Sequence, residues 1–102
     1  MTQNTITITG KIAFDVKTYN TKNGKMASVL LNVYTGKNKE NKPTYMDVPV
    51  KTFDTKIATS LENLGKGTEI IVVGKLGEDK YEKDGKTIKS IYVNASFVGV
   101  ES

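Results

Sequence analysis

Residues 65–92 read GKGTEIIVVGKLGEDKYEKDGKTIKSIY. A glycine-flanked lysine, Lys66, leads into a near-continuous apolar run, Ile70 to Val73, of the kind a buried strand carries. The run passes through Gly74 and Leu76 into a charged arm with one aromatic at its centre, Tyr81. Asp84-Gly85 is a strong hairpin signal, and the chain returns through Ile88 to Tyr92. The first half therefore reads as core and the second as an arm held out in solvent. A tyrosine among lysines on such an arm is suited to touching something flat and anionic.

Toward the N-terminus, residues 5–16 (TITITGKIAFDV) alternate with period two. Ile6, Ile8, Ile12, Phe14 and Val16 share one face, which predicts a half-buried strand with all five in the core. Gly10 interrupts that face and suggests a bulge or bend, as at a barrel corner. Residues 17–25 are turn-rich, with Asn23-Gly24 a hairpin signal. Residues 26–35 (MASVLLNVYT) form a second strand, with Ala27, Val29, Leu31 and Val33 inward and Met26, Ser28, Leu30, Asn32 and Tyr34 outward. A polar loop, 36–42, leads to a third strand, 43–53, in which Met46, Val48, Val50 and Thr52 share one parity and Tyr45, Asp47, Pro49, Lys51 and Phe53 the other. Pro49 has no N–H for a ladder and requires an edge or a bulge.

Asp54 or Thr55 caps a short helix, Lys56–Leu64, whose Ile57, Leu61 and Leu64 are spaced i, i+4, i+7. Gly65 suits the position past its end. A fourth strand is expected at 68–76 and a fifth at 88–100, the latter with Ile91, Val93, Ala95 and Phe97 inward. Five strands with one helix between the third and fourth is the order of an OB-fold, an all-β Greek-key barrel. The whole chain, 1–102, reads as one such domain. That barrel presents the face of its second and third strands, with the adjoining loops, to oligonucleotides or oligosaccharides.

Composition narrows the chemistry. The 102 residues include no cysteine and no histidine, so disulfides, thiolate metal sites and the commonest general base are excluded. No apolar run approaches the roughly 20 residues of a membrane helix, and the first ten residues carry no secretory signal. A soluble cytoplasmic protein is expected. The net charge is +4, with every one of the 15 basic residues a lysine. Arginine supplies bidentate recognition of guanine in the major groove; lysine holds phosphate as a point charge. A nucleic-acid partner would therefore be bound without regard to sequence.

Catalytic motifs are absent. Gly65-Lys66-Gly67 follows a helix instead of opening one, so it is no dinucleotide loop. Glu78, Asp79, Glu82 and Asp84 alternate with lysines and read as a solvated hairpin face without calcium-loop spacing. No cofactor or metal is expected. The outward parities are more informative. Pairing the second and third strands across loop 36–42 sets Tyr34 opposite Tyr45, Asn32 opposite Asp47, Ser28 opposite Lys51 and Met26 opposite Phe53. Tyr34, Tyr45 and Phe53 then lie on the non-core face, and exposed aromatics among lysines form a stacking platform for bases. Tyr81 joins them from the arm. Lys11, Lys37, Lys39, Lys51, Lys75, Lys80, Lys83 and Lys86 sit on or beside that face and its loops. Tyr92 reads as a plug at the barrel rim.

Taken together, TITITGKI, ASVLLNVY, KIATSLENLGKGTEIIVVGKL and KYEKDGK occur in the order and spacing of the bacterial and phage single-stranded DNA-binding proteins, which the chain resembles over essentially its whole length. The resemblance implies an OB-fold that coats single-stranded DNA in replication, recombination and repair. It implies a homo-oligomer, most commonly a tetramer, with a dimer as the alternative. Phe53 and Tyr81 match two of that family's stacking positions; Tyr45 matches a third approximately, and Tyr34 lies near a fourth. Tyrosines stand where the family often has tryptophan. The family's glycine-rich, acidic-tipped tail has no counterpart before Ser102, which puts recruitment through such a tail in doubt, while replication or recombination proteins stay candidate partners. Either a compact phage-encoded form, acting in the host cytoplasm, or a shortened chain fits the length. The competing readings are a primosome-type OB-fold adaptor, a barrel that binds only proteins, and, least favoured, an enzyme.

Overall fold

The computed structural model describes residues 4–100; positions 1–3 and 101–102 lie outside the described residues. Seven elements run in chain order: β1 (Ile6–Ile12), β2 (Lys17–Thr21), β3 (Gly24–Lys37), β4 (Pro43–Thr52), α1 (Thr55–Glu62), β5 (Glu69–Lys83) and β6 (Lys86–Val100). The sheet order is β1-β5-β6-β4-β3-β2, and an additional β1–β3 pairing closes five of the strands into a barrel. The parallel β4–β6 contact, Val50 with Val93 and Lys51 with Asn94, completes the Greek key. This is the OB-fold expected from the order of elements, with β2 added outside the barrel on the free edge of β3.

Closure depends on Gly10. β1 pairs with β5 from Ile6 to Lys11 and crosses to β3 at Lys11 and Ile12. At the crossing a Cβ on residue 10 would stand 2.7 Å from the backbone oxygen of Asn32. Only glycine lets the two backbones come that close. The core is the inward parity of the five strands: Ile12, Val29, Leu31, Val50, Ile70, Val72 and Val93 are all buried. Thr52, the one buried polar side chain among the described residues, is satisfied by donating from its hydroxyl to the carbonyl of Ala95 at 3.2 Å.

One end of the barrel is plugged by α1. Asp54 caps it, accepting from the N–H groups of Lys56 and Ile57 at 2.9 and 3.3 Å. Ala58 and Leu61 are buried against the barrel, with Ile57 and Leu64 beside them. The helix starts one residue earlier and ends two earlier than the apolar spacing suggests, because Asn63 turns out of it and the Leu64 N–H bonds back to Leu61. The opposite end is an apolar mouth of about 360 Å³, lined among others by Ile6, Val33, Met46, Leu76 and Ile91.

Four expectations need correction. Residues 17–21 are a strand, not a loop: they pair with Gly24–Ser28, and Lys22-Asn23 is the turn between them. The first strand ends at Ile12 instead of Val16, since Ala13 already donates to Leu30 and the chain bends at Phe14. Phe14 is consequently 61% exposed, outside the core where parity set it. Phe97 is also outward, 54% exposed. A register shift lets Val73 pair with Phe97 but Gly74 with Ala95, so Ser96 is an inserted residue and the inward position passes to Val98. Finally, the last two strands are longer than expected, running out to the Asp84-Gly85 turn, where both residues have positive φ.

Candidate nucleic-acid interface

The β3–β4 register is the one the parities require: Tyr34 faces Tyr45, Asn32 faces Asp47 and Ser28 faces Lys51. The ladder ends at Ala27–Thr52, so Phe53 emerges just past it, between β4 and the Asp54 cap. Pro49 is accommodated opposite Leu30, whose carbonyl accepts from Ala13 of the β1 side, so the pair exchanges no bond. Tyr34 and Tyr45 form an edge-to-face pair with centroids 5.9 Å apart and planes at 65°. Both are mostly solvent-exposed, as are Phe53 and Tyr81 (50–57% for the four).

Beside the tyrosine pair lies a groove of about 380 Å³ lined by Thr9, Gly10, Lys11, Asn32 and Glu69 as well as the two rings. Lys11, Asn32 and Asp47 stand in one row across β1, β3 and β4. The Asn32 amide donates to Asp47 at 3.3 Å, which keeps that carboxylate occupied on the sheet. A bulge after Tyr34 sets Lys37 opposite Pro43, on the same outward side as Tyr45. Lys39 extends from loop 38–42, which Asn38 organises by accepting from the N–H groups of Glu40 and Lys42.

The arm continues this surface. On β5 Lys75, Gly77, Asp79, Tyr81 and Lys83 alternate onto one face, and Asp79 bonds Lys51 of β4. Tyr81 therefore faces the same side as β4's outward residues. Lys83 stands directly across from Lys86 near the tip. Lys80 falls on the reverse face, 3.7 Å from Glu78 and across from Lys89. Lys51 is engaged, ion-paired with Asp79 and 4.8 Å from the centroid of the Tyr92 ring. Within the solvated face of the arm, Asp79 is the carboxylate that reaches across to β4. Tyr92 is half-buried against Gly77, where it also borders the apolar mouth.

From Tyr45 to Phe53 is eight residues of strand, about 26 Å at ~3.3 Å per residue. Phe53 and the Tyr34–Tyr45 pair therefore stand at opposite ends of the outward face of β4. Among the described residues no cluster of His, Cys, Asp or Glu could hold a metal, and no helix is long and apolar enough to cross a membrane.

Residues 3–100 match the Single-strand binding protein family. The chain belongs to that family. Its members are non-enzymatic DNA-binding proteins. Among solved structures, the small single-stranded DNA-binding protein from Streptomyces coelicolor superposes with a TM-score of 0.79 at 21% identity, covering 99% of this chain and 96% of that one. The Plasmodium falciparum SSB in complex with ssDNA superposes with a TM-score of 0.86 at 16% identity, covering 100% of this chain and 97% of that one. No curated protein sequence matches the chain. At these identities the structural likeness establishes the shared barrel, while the family match rests on the sequence itself.

Proposed function

We propose that the chain is one sequence-independent single-stranded DNA-binding domain, and that bases stack on Tyr34, Tyr45, Phe53 and Tyr81 while phosphates meet the neighbouring lysines. The observation that carries this is the continuity of the four exposed rings with Lys11, Lys37 and Lys83 on one side of β3, β4 and the arm, in a member of the single-strand binding protein family. Each base stacked on such a ring contributes about 1–3 kcal/mol whatever its identity. The complete absence of arginine favours phosphate contact over base-edge readout. Supporting the same reading, the similar Plasmodium falciparum protein is solved with ssDNA. Strands exposed in replication, recombination and repair are the natural ligand.

A homo-oligomer, with four copies favoured over two, would place several such faces on one strand, and the cytoplasm is where such a strand would be met. The decisive test of the face is Phe53→Ala and Tyr81→Ala. Each should weaken binding to oligo-dT by about 1–3 kcal/mol while leaving the cooperative melt intact. A folded double variant with unchanged affinity would show that DNA binds elsewhere.

A further inference from the structure

Where the arm leaves the barrel, three strands meet through side chains. The Lys51 ammonium, on β4, is ion-paired with Asp79 of β5 and lies 4.8 Å over the Tyr92 ring of β6. That ring lies flat on β5: a Cβ at Gly77, its register partner, would come within 2.5 Å of the ring's Cζ. Backbone pairing between β4 and β6 is confined to Val50–Val93 and Lys51–Asn94. Toward Pro49 and Tyr92 the two strands share no ladder, and there the Lys51 clamp adds a polar side-chain link between the root of the arm and the outward face of β4. The pair remains accessible, with side chains 26% and 43% exposed. An ion pair so exposed is weak and readily exchanged.

We propose that Asp79 is an internal occupant of a phosphate site. Its carboxylate presents to Lys51 the anionic oxygen that a backbone phosphate would present, and it holds the arm against β4 until a strand arrives. Phosphate then takes Lys51, Asp79 is released, and the arm that carries Tyr81 is freed from its tie to β4. Asp79 is thus a positioning residue that restrains affinity. This inference rests on the reading of the face as a surface for single strands.

The test is a titration of oligo-dT over a salt series with five proteins: wild type, Asp79→Asn, Asp79→Ser, Lys51→Gln and the Asp79→Asn/Lys51→Gln double variant. Asp79→Asn leaves Lys51 free, so it should tighten binding about fivefold to tenfold at ~50 mM salt and steepen the log–log salt slope by about 0.7, the value for one further phosphate on a single strand. Neither gain should appear when Lys51 is already glutamine. Asp79→Ser, with a shorter side chain, should behave as Asp79→Asn does. Unchanged or weaker binding by both Asp79 variants overturns the proposal, as does an equal gain without Lys51, which would be a general effect of net charge. Wild-type protein that ignores oligo-dT would instead sink the underlying reading. Normal wild-type binding with indifferent Asp79 variants would sink this inference alone.

Discussion

Tyr34 and Tyr45 occupy directly opposed positions on β3 and β4, and their rings meet edge to face at 5.9 Å. Their contact is on the outward surface, so neither ring is spent on the core. It also makes them one unit: each holds the other upright beside the groove that Lys11 lines.

Replacing either tyrosine by alanine should weaken oligo-dT binding by about 1–3 kcal/mol. The double variant should lose less than the sum, by about 0.5–1.5 kcal/mol, since each single change already disturbs the partner ring. A double-mutant cycle by fluorescence titration measures this. Strict additivity would mean that the rings act independently.

Lysine contacts predict the salt response. Log affinity should fall with log salt at about −0.7 per phosphate neutralised. Lys11→Gln and Lys83→Gln should each make that slope shallower by a similar amount, whereas Lys80→Gln should change it little, because Lys80 lies on the reverse of the arm beside Glu78. An equal effect of all three would mean that net charge, not placement, governs binding.

Gly10→Ala tests how the barrel closes. The added Cβ would lie 2.7 Å from the Asn32 backbone oxygen and 3.1 Å from a Val33 methyl. The oxygen belongs to a ladder and cannot swing away. A loss of about 1–3 kcal/mol is expected, or roughly 4–8 °C of Tm for each kcal/mol in a domain of this size. Thermal melting followed by circular dichroism reads it directly.

Acid should weaken the seat of α1. Lys25, at the start of β3, lies 2.6 Å from Glu62 on the last turn of the helix. That hydrogen bond is the main reason the Glu62 carboxyl sits below its ordinary value of 4.5, aided by the Lys25 charge and Thr18 against a partial desolvation. The folded value being the lower one, the pair stabilises the fold above the unfolded value, and the contribution disappears as pH falls through the folded value. The Tm difference between wild type and Glu62→Gln should therefore be present at neutral pH and close on acidification below 4.5. A difference independent of pH would assign the stabilisation to packing.

Much of the fold and part of the face were legible because side-chain parity survives translation into a sheet. Met46 through Lys51 alternate without interruption, so the β3–β4 register followed from the polar loop at their junction. Asp84-Gly85 declared its turn locally. What parity cannot carry is an interruption. Phe14 lies past the point where β1 gives up its ladder, and Phe97 lies past an inserted Ser96; both therefore point outward. β2 was concealed by its composition, since KTYNT has a single aromatic and no aliphatic side chain, although the Asn23-Gly24 signal beside it marked a hairpin. The Lys51–Asp79 pair joins residues 28 apart in sequence through the curl of the sheet, and a run of alternating charges gives no sign of which carboxylate will be used.

The proposed stacking of exposed tyrosines on single-stranded DNA has a built-in reporter, because the protein has five tyrosines and no tryptophan. The direct measurement is a titration with oligo-dT and with a duplex of equal length, at low and moderate salt, following tyrosine emission. Stacking predicts saturable quenching by the single strand alone, with affinity that falls as salt rises. Equal binding of the duplex, or binding without quenching, would contradict it.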